Sequence, residues 1–151
     1  MRIVIADDHI VVRDGLNSLL EKEFDFDVIG LADNGRDAVR MVVEQHPDVV
    51  LMDFSMPEMN GIEATRKITE QASTRVIILS MYSERRFIVE ALHAGARGYV
   101  FKDSAFEELA SAIRSVAAGS YFLSEKIPPA LLQEFRQKRL PSCESGKARG
   151  R

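Results

Sequence analysis

The sequence predicts an α/β fold whose parallel sheet is covered by helices on both faces, and three observations lead there. Short β-branched or apolar runs alternate with longer stretches in which apolar residues recur at helical spacing. Two of the runs, Val49 to Met52 and Val76 to Leu79, are apolar throughout, the pattern of strands buried on both faces rather than one. Polar residues follow these runs at once: Asp7-Asp8, Asp53, Ser80 and Lys102-Asp103. Open α/β sheets place their ligand chemistry at the carboxyl ends of the strands.

Arg2 to Ala6 is the first strand, a β-branched run. Val12, Leu16, Leu19 and Leu20 then mark a helix to about Glu23, and Phe26 to Leu31 is the second strand. Asn34 is placed to cap the next helix, with Asp37 in its first turn where the helix dipole favours an acid. That helix offers Ala38, Met41, Val42 and Gln45, and Pro47 marks its end. The third strand leads into Asp53, and Pro57, Asn60 and Gly61 read as the loop after it. Ile62 to Gln71 is a helix with a thin apolar face. Arg75 to Leu79 is the fourth strand, with Ser80 at its end. Ser83 to Ala94 forms a helix closed by Gly95. Gly98 to Phe101 is the fifth strand, and Phe106, Leu109, Ala110, Ile113, Val116 and Ala117 line one side of the helix that Gly119 stops. Five strands alternating with five helices and right-handed crossovers leave few topologies. A flavodoxin-like order, 2-1-3-4-5, has its switch point between strands one and three, so Asp7, Asp8 and Asp53 should meet there.

Composition narrows the class of molecule. With 151 residues and 46% hydrophobic side chains the chain suits one domain with a proper core. A formal charge of −3 argues neither for nor against nucleic acid. No apolar run is long enough to span a bilayer, and the N-terminus enters a strand without a signal-peptide pattern, so the expected compartment is the cytoplasm. Cys143 is the lone cysteine, which excludes an internal disulfide or a cysteine-based zinc site. His9, His46 and His93 form no ligand cluster at helical spacing and read as structural or surface residues, His9 included despite its place beside the acidic pair.

Taken singly, each candidate has an ordinary explanation: Asp53 ends a strand, the Asp pair caps a helix, Ser80 sits in a turn, Lys102 is a solvated charge. Their coincidence at one sheet edge favours a site. Three converging carboxylates oppose one another's ionisation, and a hard divalent cation such as Mg²⁺, which prefers oxygen ligands, relieves this. With the hydroxyl of Ser80 and the ammonium of Lys102 at the same edge, the set suits phosphoryl transfer, where positioning and charge neutralisation dominate.

These residues, with the Met56-Pro57-x-Met59-x-Gly61 loop, resemble the receiver domain of bacterial two-component response regulators from Met1 to about Gly119. Ala-Asp-Asp-His at 6–9, Leu-Ser-Met-Tyr at 79–82 and Gly-Tyr-Val-Phe-Lys-Asp at 98–103 resemble the NarL/LuxR-type members. The resemblance implies that Asp53 is phosphorylated from the phosphohistidine of a sensor histidine kinase. It implies Mg²⁺ bound by Asp8, Asp53 and the Ser55 backbone carbonyl, with Asp7 acting largely through water. Ser80 and Tyr99 would form a two-state switch, and Tyr82 would tune access of water to the site. Homodimerisation on phosphorylation is a further implication, and DNA would be reached only through an output domain that this chain does not include. Many receivers have proline where Asp103 stands, which leaves the isomer of the Lys102-Asp103 bond open.

The expected organisation is a receiver domain over 1–120, a linker or extra amphipathic helix over 121–140, and a disordered basic tail over 141–151. Ser124 is placed as the N-cap of the extra helix, near Pro128-Pro129, and Leu131, Leu132 and Phe135 give it an apolar stripe. Two rival readings compete with the phosphorylated switch. One is a pseudo-receiver that dimerises or docks a partner without phosphorylation. The other is a phosphatase of haloacid dehalogenase type, which the sequence disfavours because Asp53 is followed by Phe54-Ser55 rather than by a second Asp two residues on.

Overall fold

A computed structural model describes residues 1–144, with side chains up to residue 136. The expected basic tail falls largely outside the described residues. The chain begins β1 (Arg2–Ala6), α1 (Ile10–Glu21), β2 (Asp27–Ala32), α2 (Gly35–Gln45), β3 (Val49–Asp53) and α3 (Gly61–Gln71). It continues β4 (Arg75–Ser80), α4 (Arg85–Ala94), β5 (Gly98–Phe101), α5 (Phe106–Ala117), β6 (Phe122–Leu123) and α6 (Pro129–Glu144). All strand pairings are parallel, and the order is β2-β1-β3-β4-β5-β6.

The sheet thus has six strands where five are expected. β6 is two residues long and lies beside β5, with Phe122 opposite Gly98 and Leu123 opposite Tyr99. Two residues carry no readable period, which is why the segment reads as linker in the sequence. Ser124 does not cap α6, which starts at Pro129. Instead it is buried and ties the chain back to β5: its N–H donates to the Tyr99 carbonyl (2.9 Å) and its Oγ accepts from the Phe101 N–H (3.0 Å). α6 itself extends beyond Leu140, through Pro141, to Glu144. All peptide bonds of the described residues are trans, the one joining Lys102 to Asp103 included.

Period-two alternation along the strands divides the core. Val4, Ala6, Val50, Met52, Val76 and Ile78 face one side and pack with α2, α3, α4 and α6. Ile3, Ile5, Val49, Leu51, Ile77 and Leu79 face the other and pack with α1 and α5. Each of these side chains, almost fully removed from water, stabilises the fold by roughly 1.5–3 kcal/mol if large. α6 adds Ile127 from its approach, Leu131 and Phe135 to the first of these layers, and Arg85 of α4 forms an exposed ion pair with Glu134.

The helix starts behave as their sequences require. The Asn34 side chain accepts from the Asp37 N–H and that of Asn60 accepts from the Glu63 N–H, each satisfying an otherwise unpaired helix donor. α1 begins differently. His9 is its N-cap residue but makes no side-chain capping bond.

Candidate functional site

The carboxyl ends of β1, β3 and β5 converge as the switch-point argument requires. β1 pairs with β3 in a register that sets Ala6 beside Met52, so the residues that follow, Asp7 and Asp53, emerge side by side. β3 and β4 carry Asp53 opposite Leu79, and β4 and β5 carry Ser80 opposite Phe101, which brings Lys102 to the same edge. Gly61 fixes the distance between the β3 end and α3. A Cβ at this position would lie 2.1 Å from the Asp53 carbonyl oxygen, and the Gly61 N–H donates to the Phe54 carbonyl at 3.0 Å. Only glycine allows that approach.

At the centre, Lys102 Nζ lies 3.0 Å from Asp53 Oδ1 and 3.0 Å from Asp7 Oδ2. Asp7 is 0% exposed and Asp53 3% exposed, so this is a buried cluster with more carboxylate than ammonium charge. Burial pushes the Asp53 carboxyl up to about 6; Lys102 opposes the shift and the charge on Asp7 adds to it. Burial also works against the Lys102 ammonium, but its bonds to Asp53 and Asp7 outweigh that and leave its pKa above the ordinary lysine value. One buried oxygen of the cluster, Asp53 Oδ2, lacks a hydrogen-bond donor. His9 Nδ1 lies 3.9 Å from it, beyond hydrogen-bond reach, whereas Asp7 Oδ2 has the Lys102 ammonium at 3.0 Å.

Asp8 stands at the rim, its side chain one-third exposed. Asp7, Asp8, His9 and Asp53 each present a ligand atom, all within 4.8 Å of one another. An unsatisfied buried carboxylate oxygen among three acids fits a divalent cation of the Mg²⁺ class, because such an ion supplies the missing positive charge and accepts oxygen ligands.

Ser80 is buried, and its Oγ accepts from the Tyr82 N–H at 2.9 Å rather than touching the acids. The Tyr99 ring lies fully inside, with its hydroxyl donating to the Tyr82 carbonyl at 2.8 Å. Burial pushes that hydroxyl up to about 12. Tyr82 is 39% exposed. Its ring meets Phe54 edge-on at 5.2 Å and Phe87 at 4.7 Å, so an aromatic group joins the residue after Asp53 to the first turn of α4. Ser55 lies exposed two residues beyond Asp53, and its backbone N–H is the weakest of the influences that oppose the upward shift of the Asp53 carboxyl.

A family model for the response regulator receiver domain matches residues 3–114. The chain belongs to that family. Within two-component systems it is of the NarL/LuxR type, and receiver domains of this kind work with histidine kinases. Among similar proteins, the transcriptional regulatory protein YhcZ of Bacillus subtilis is 44% identical over 145 residues, which are 95% of this chain and 67% of that protein. The oxygen regulatory protein NreC of Staphylococcus carnosus is 40% identical over 137 residues, 89% of this chain and 63% of its own. The chain therefore spans about two thirds of the length of these relatives. A two-component response regulator of the LuxR family from Aurantimonas superposes with a TM-score of 0.77 at 36% identity, covering 92% of this chain and 97% of that one. The isolated receiver domain of RcsB from Salmonella enterica, solved with the phosphomimetic BeF₃⁻, gives 0.75 at 25% identity over 88% of this receiver and 96% of that chain. Among the described residues no helix is long and apolar enough to cross a membrane.

The structure also brings in residues that sequence reasoning set aside. His9 reads as a surface histidine in the sequence, yet its Nδ1 lies 3.1 Å from Asp7 Oδ1 and 3.3 Å from Asp8 Oδ1. Its adjacency to Asp8 was the available signal. Phe54 and Phe87, 33 positions apart, carried none.

Proposed function

We propose that this receiver is a phosphorylatable switch in which Asp53 accepts a phosphoryl group from the phosphohistidine of a sensor histidine kinase. The observation that carries this reading is the state of the Asp53 carboxylate: one oxygen held by Lys102 at 3.0 Å, the other buried without a donor. In the transfer a carboxylate oxygen of Asp53 forms the new bond to phosphorus while the P–N bond of the donor breaks, its electron pair leaving on the imidazole nitrogen. Lys102 neutralises charge on the phosphoryl oxygens, and Ser80 donates its hydroxyl once it turns from the Tyr82 N–H. Asp8, Asp53 and the Ser55 backbone carbonyl would hold Mg²⁺, with Asp7 acting through water, and the ion would supply further charge neutralisation.

Tyr99 is the second half of the switch. Its buried ring and its bond to the Tyr82 carbonyl give a discrete position that a movement of Ser80 and Tyr82 would bias. The chain assists its own phosphorylation and dephosphorylation and is not a turnover enzyme. Homodimerisation on phosphorylation and a cytoplasmic setting belong to the same proposal, as does control of transcription through a DNA-binding output domain. The exposed apolar side chains Ile10 and Val11 of α1 support association between copies.

The test uses phosphoramidate, a small P–N donor, with Mg²⁺ and intact-mass detection. One added phosphoryl group on the wild type and none on Asp53→Asn or in the presence of a chelator is expected. Equal labelling of Asp53→Asn would overturn the proposal.

A further inference from the structure

Resting on the reading of the acidic edge as a divalent-metal site, we infer that His9 supplies a nitrogen ligand there and makes it a mixed nitrogen–oxygen site. Its ring stands at the mouth of the cluster, 64% exposed, with Nδ1 turned inward. As the N-cap residue of α1 it forgoes the usual capping bond, so its side chain is directed to the acids rather than to its own helix. The spacing is that of a coordination shell. With metal–ligand bonds of about 2.1 Å, neighbouring ligands of an octahedral ion lie about 3.0 Å apart and opposite ones about 4.2 Å apart. His9 Nδ1 lies 3.3 Å from Asp8 Oδ1 and 3.9 Å from Asp53 Oδ2, the two carboxylates that would bind the ion directly, and its 3.1 Å contact with Asp7 Oδ1 orients the ring toward them. The independent sign that something belongs between them is Asp53 Oδ2, buried and without a donor while aimed at this same point.

The chemical consequence is selectivity. An all-oxygen shell suits Mg²⁺, whereas an imidazole raises affinity for borderline first-row ions such as Mn²⁺, Co²⁺ and Zn²⁺. His9 therefore widens the range of ions that the switch accepts, and it does so from the rim, without altering the oxygens that face the phosphoryl group.

Pulsed electron paramagnetic resonance of the wild-type chain with bound Mn²⁺ tests this directly, because a coordinated imidazole nitrogen modulates the manganese signal. Nitrogen modulation is expected in the wild type and none in His9→Ala. In competition titrations, His9→Ala should lower the affinity for Mn²⁺ relative to Mg²⁺ by about tenfold, the lower end of what losing even an outer-shell partner of a metal ligand produces. The exposed ring makes the variant safe for folding, and the wild-type spectrum needs no variant at all. Mn²⁺ bound without nitrogen modulation, or a variant that binds both ions more tightly, would overturn the inference and make His9 a counter-charge that the metal displaces. Failure of the wild type to bind Mn²⁺ would remove the metal-site reading itself.

Discussion

Lys102 Nζ lies 3.0 Å from Oδ1 of Asp53, and the two side chains are almost wholly buried, 12% and 5% exposed. At this distance in a dry environment the ammonium is the nearest positive charge to any group that Asp53 acquires. Replacing Lys102 by Met keeps the apolar stem and removes the charge. Phosphorylation by phosphoramidate should slow by about a hundredfold, the typical cost of losing one preorganised donor at a site of developing charge. Stopped-flow rates of the two proteins check it, and a change of less than severalfold would mean that Lys102 serves the fold alone.

The second prediction concerns pH. Asp53 has a folded-state pKa raised from 3.8 to about 6, chiefly by burial. A carboxyl so shifted favours the folded state when protonated. Its contribution is fully present below about pH 4 and is lost as pH rises through about 6. Above pH 6 the metal-free wild type therefore carries a penalty on the order of 2–3 kcal/mol that Asp53→Asn lacks. Urea unfolding without metal should show the variant more stable at pH 7.5, with the gain shrinking between pH 6 and 4. Added Mg²⁺ should stabilise the wild type more than the variant. A gain independent of pH would contradict the assignment.

Gly61 gives a third. A methyl group at this position meets the Asp53 backbone carbonyl at 2.1 Å, and backbone cannot swing aside as a side chain can. Gly61→Ala should cost roughly 1–3 kcal/mol, the range for overpacking, and should displace Asp53 as it does so. Both the urea midpoint and the phosphorylation rate should fall. Unchanged phosphorylation in a destabilised variant would show that Asp53 is positioned from β3 alone.

The fourth concerns α6. Phe135 is buried, stacks edge-on against His93 at 5.2 Å and helps fasten the helix to α4. Phe135→Ala should remove about 3 kcal/mol, the lower end for such a truncation, and the loss should be local. Hydrogen exchange should accelerate in α6 and not in β1, β3 or β4. Acceleration across the whole sheet would mean that α6 is integral to the core.

Much of this was legible in the residues. Strand cores such as Val76 to Leu79 are short apolar runs that a both-sides-buried strand requires, and Asn34 with Asp37 announced a helix start that the structure forms with a 2.8 Å bond. The convergence of Asp7, Asp8, Asp53 and Lys102 followed from topology, since strand ends at a switch point are neighbours whatever their separation in the chain. What escaped was set by tertiary contact. β6 exists because Phe122 and Leu123 find the free edge of β5, and two residues hold no period. Ser124 has the residue type of an N-cap but lies several positions before α6, and the same hydroxyl chemistry serves the edge of β5 instead. His9 shows the opposite failure: its type and place were visible, but the direction of its ring is decided by Asp7 and Asp8.

The central claim is that the phosphoryl group resides on the carboxylate of Asp53, and one measurement locates it. The phosphoramidate-treated chain is reduced with borohydride, which converts an aspartyl phosphate to homoserine, and its peptides are sequenced by mass spectrometry. Homoserine at position 53, and nowhere else, is the expected result. An unmodified Asp53 in a chain that carries a phosphoryl group on His9, Ser55 or any other residue would contradict it.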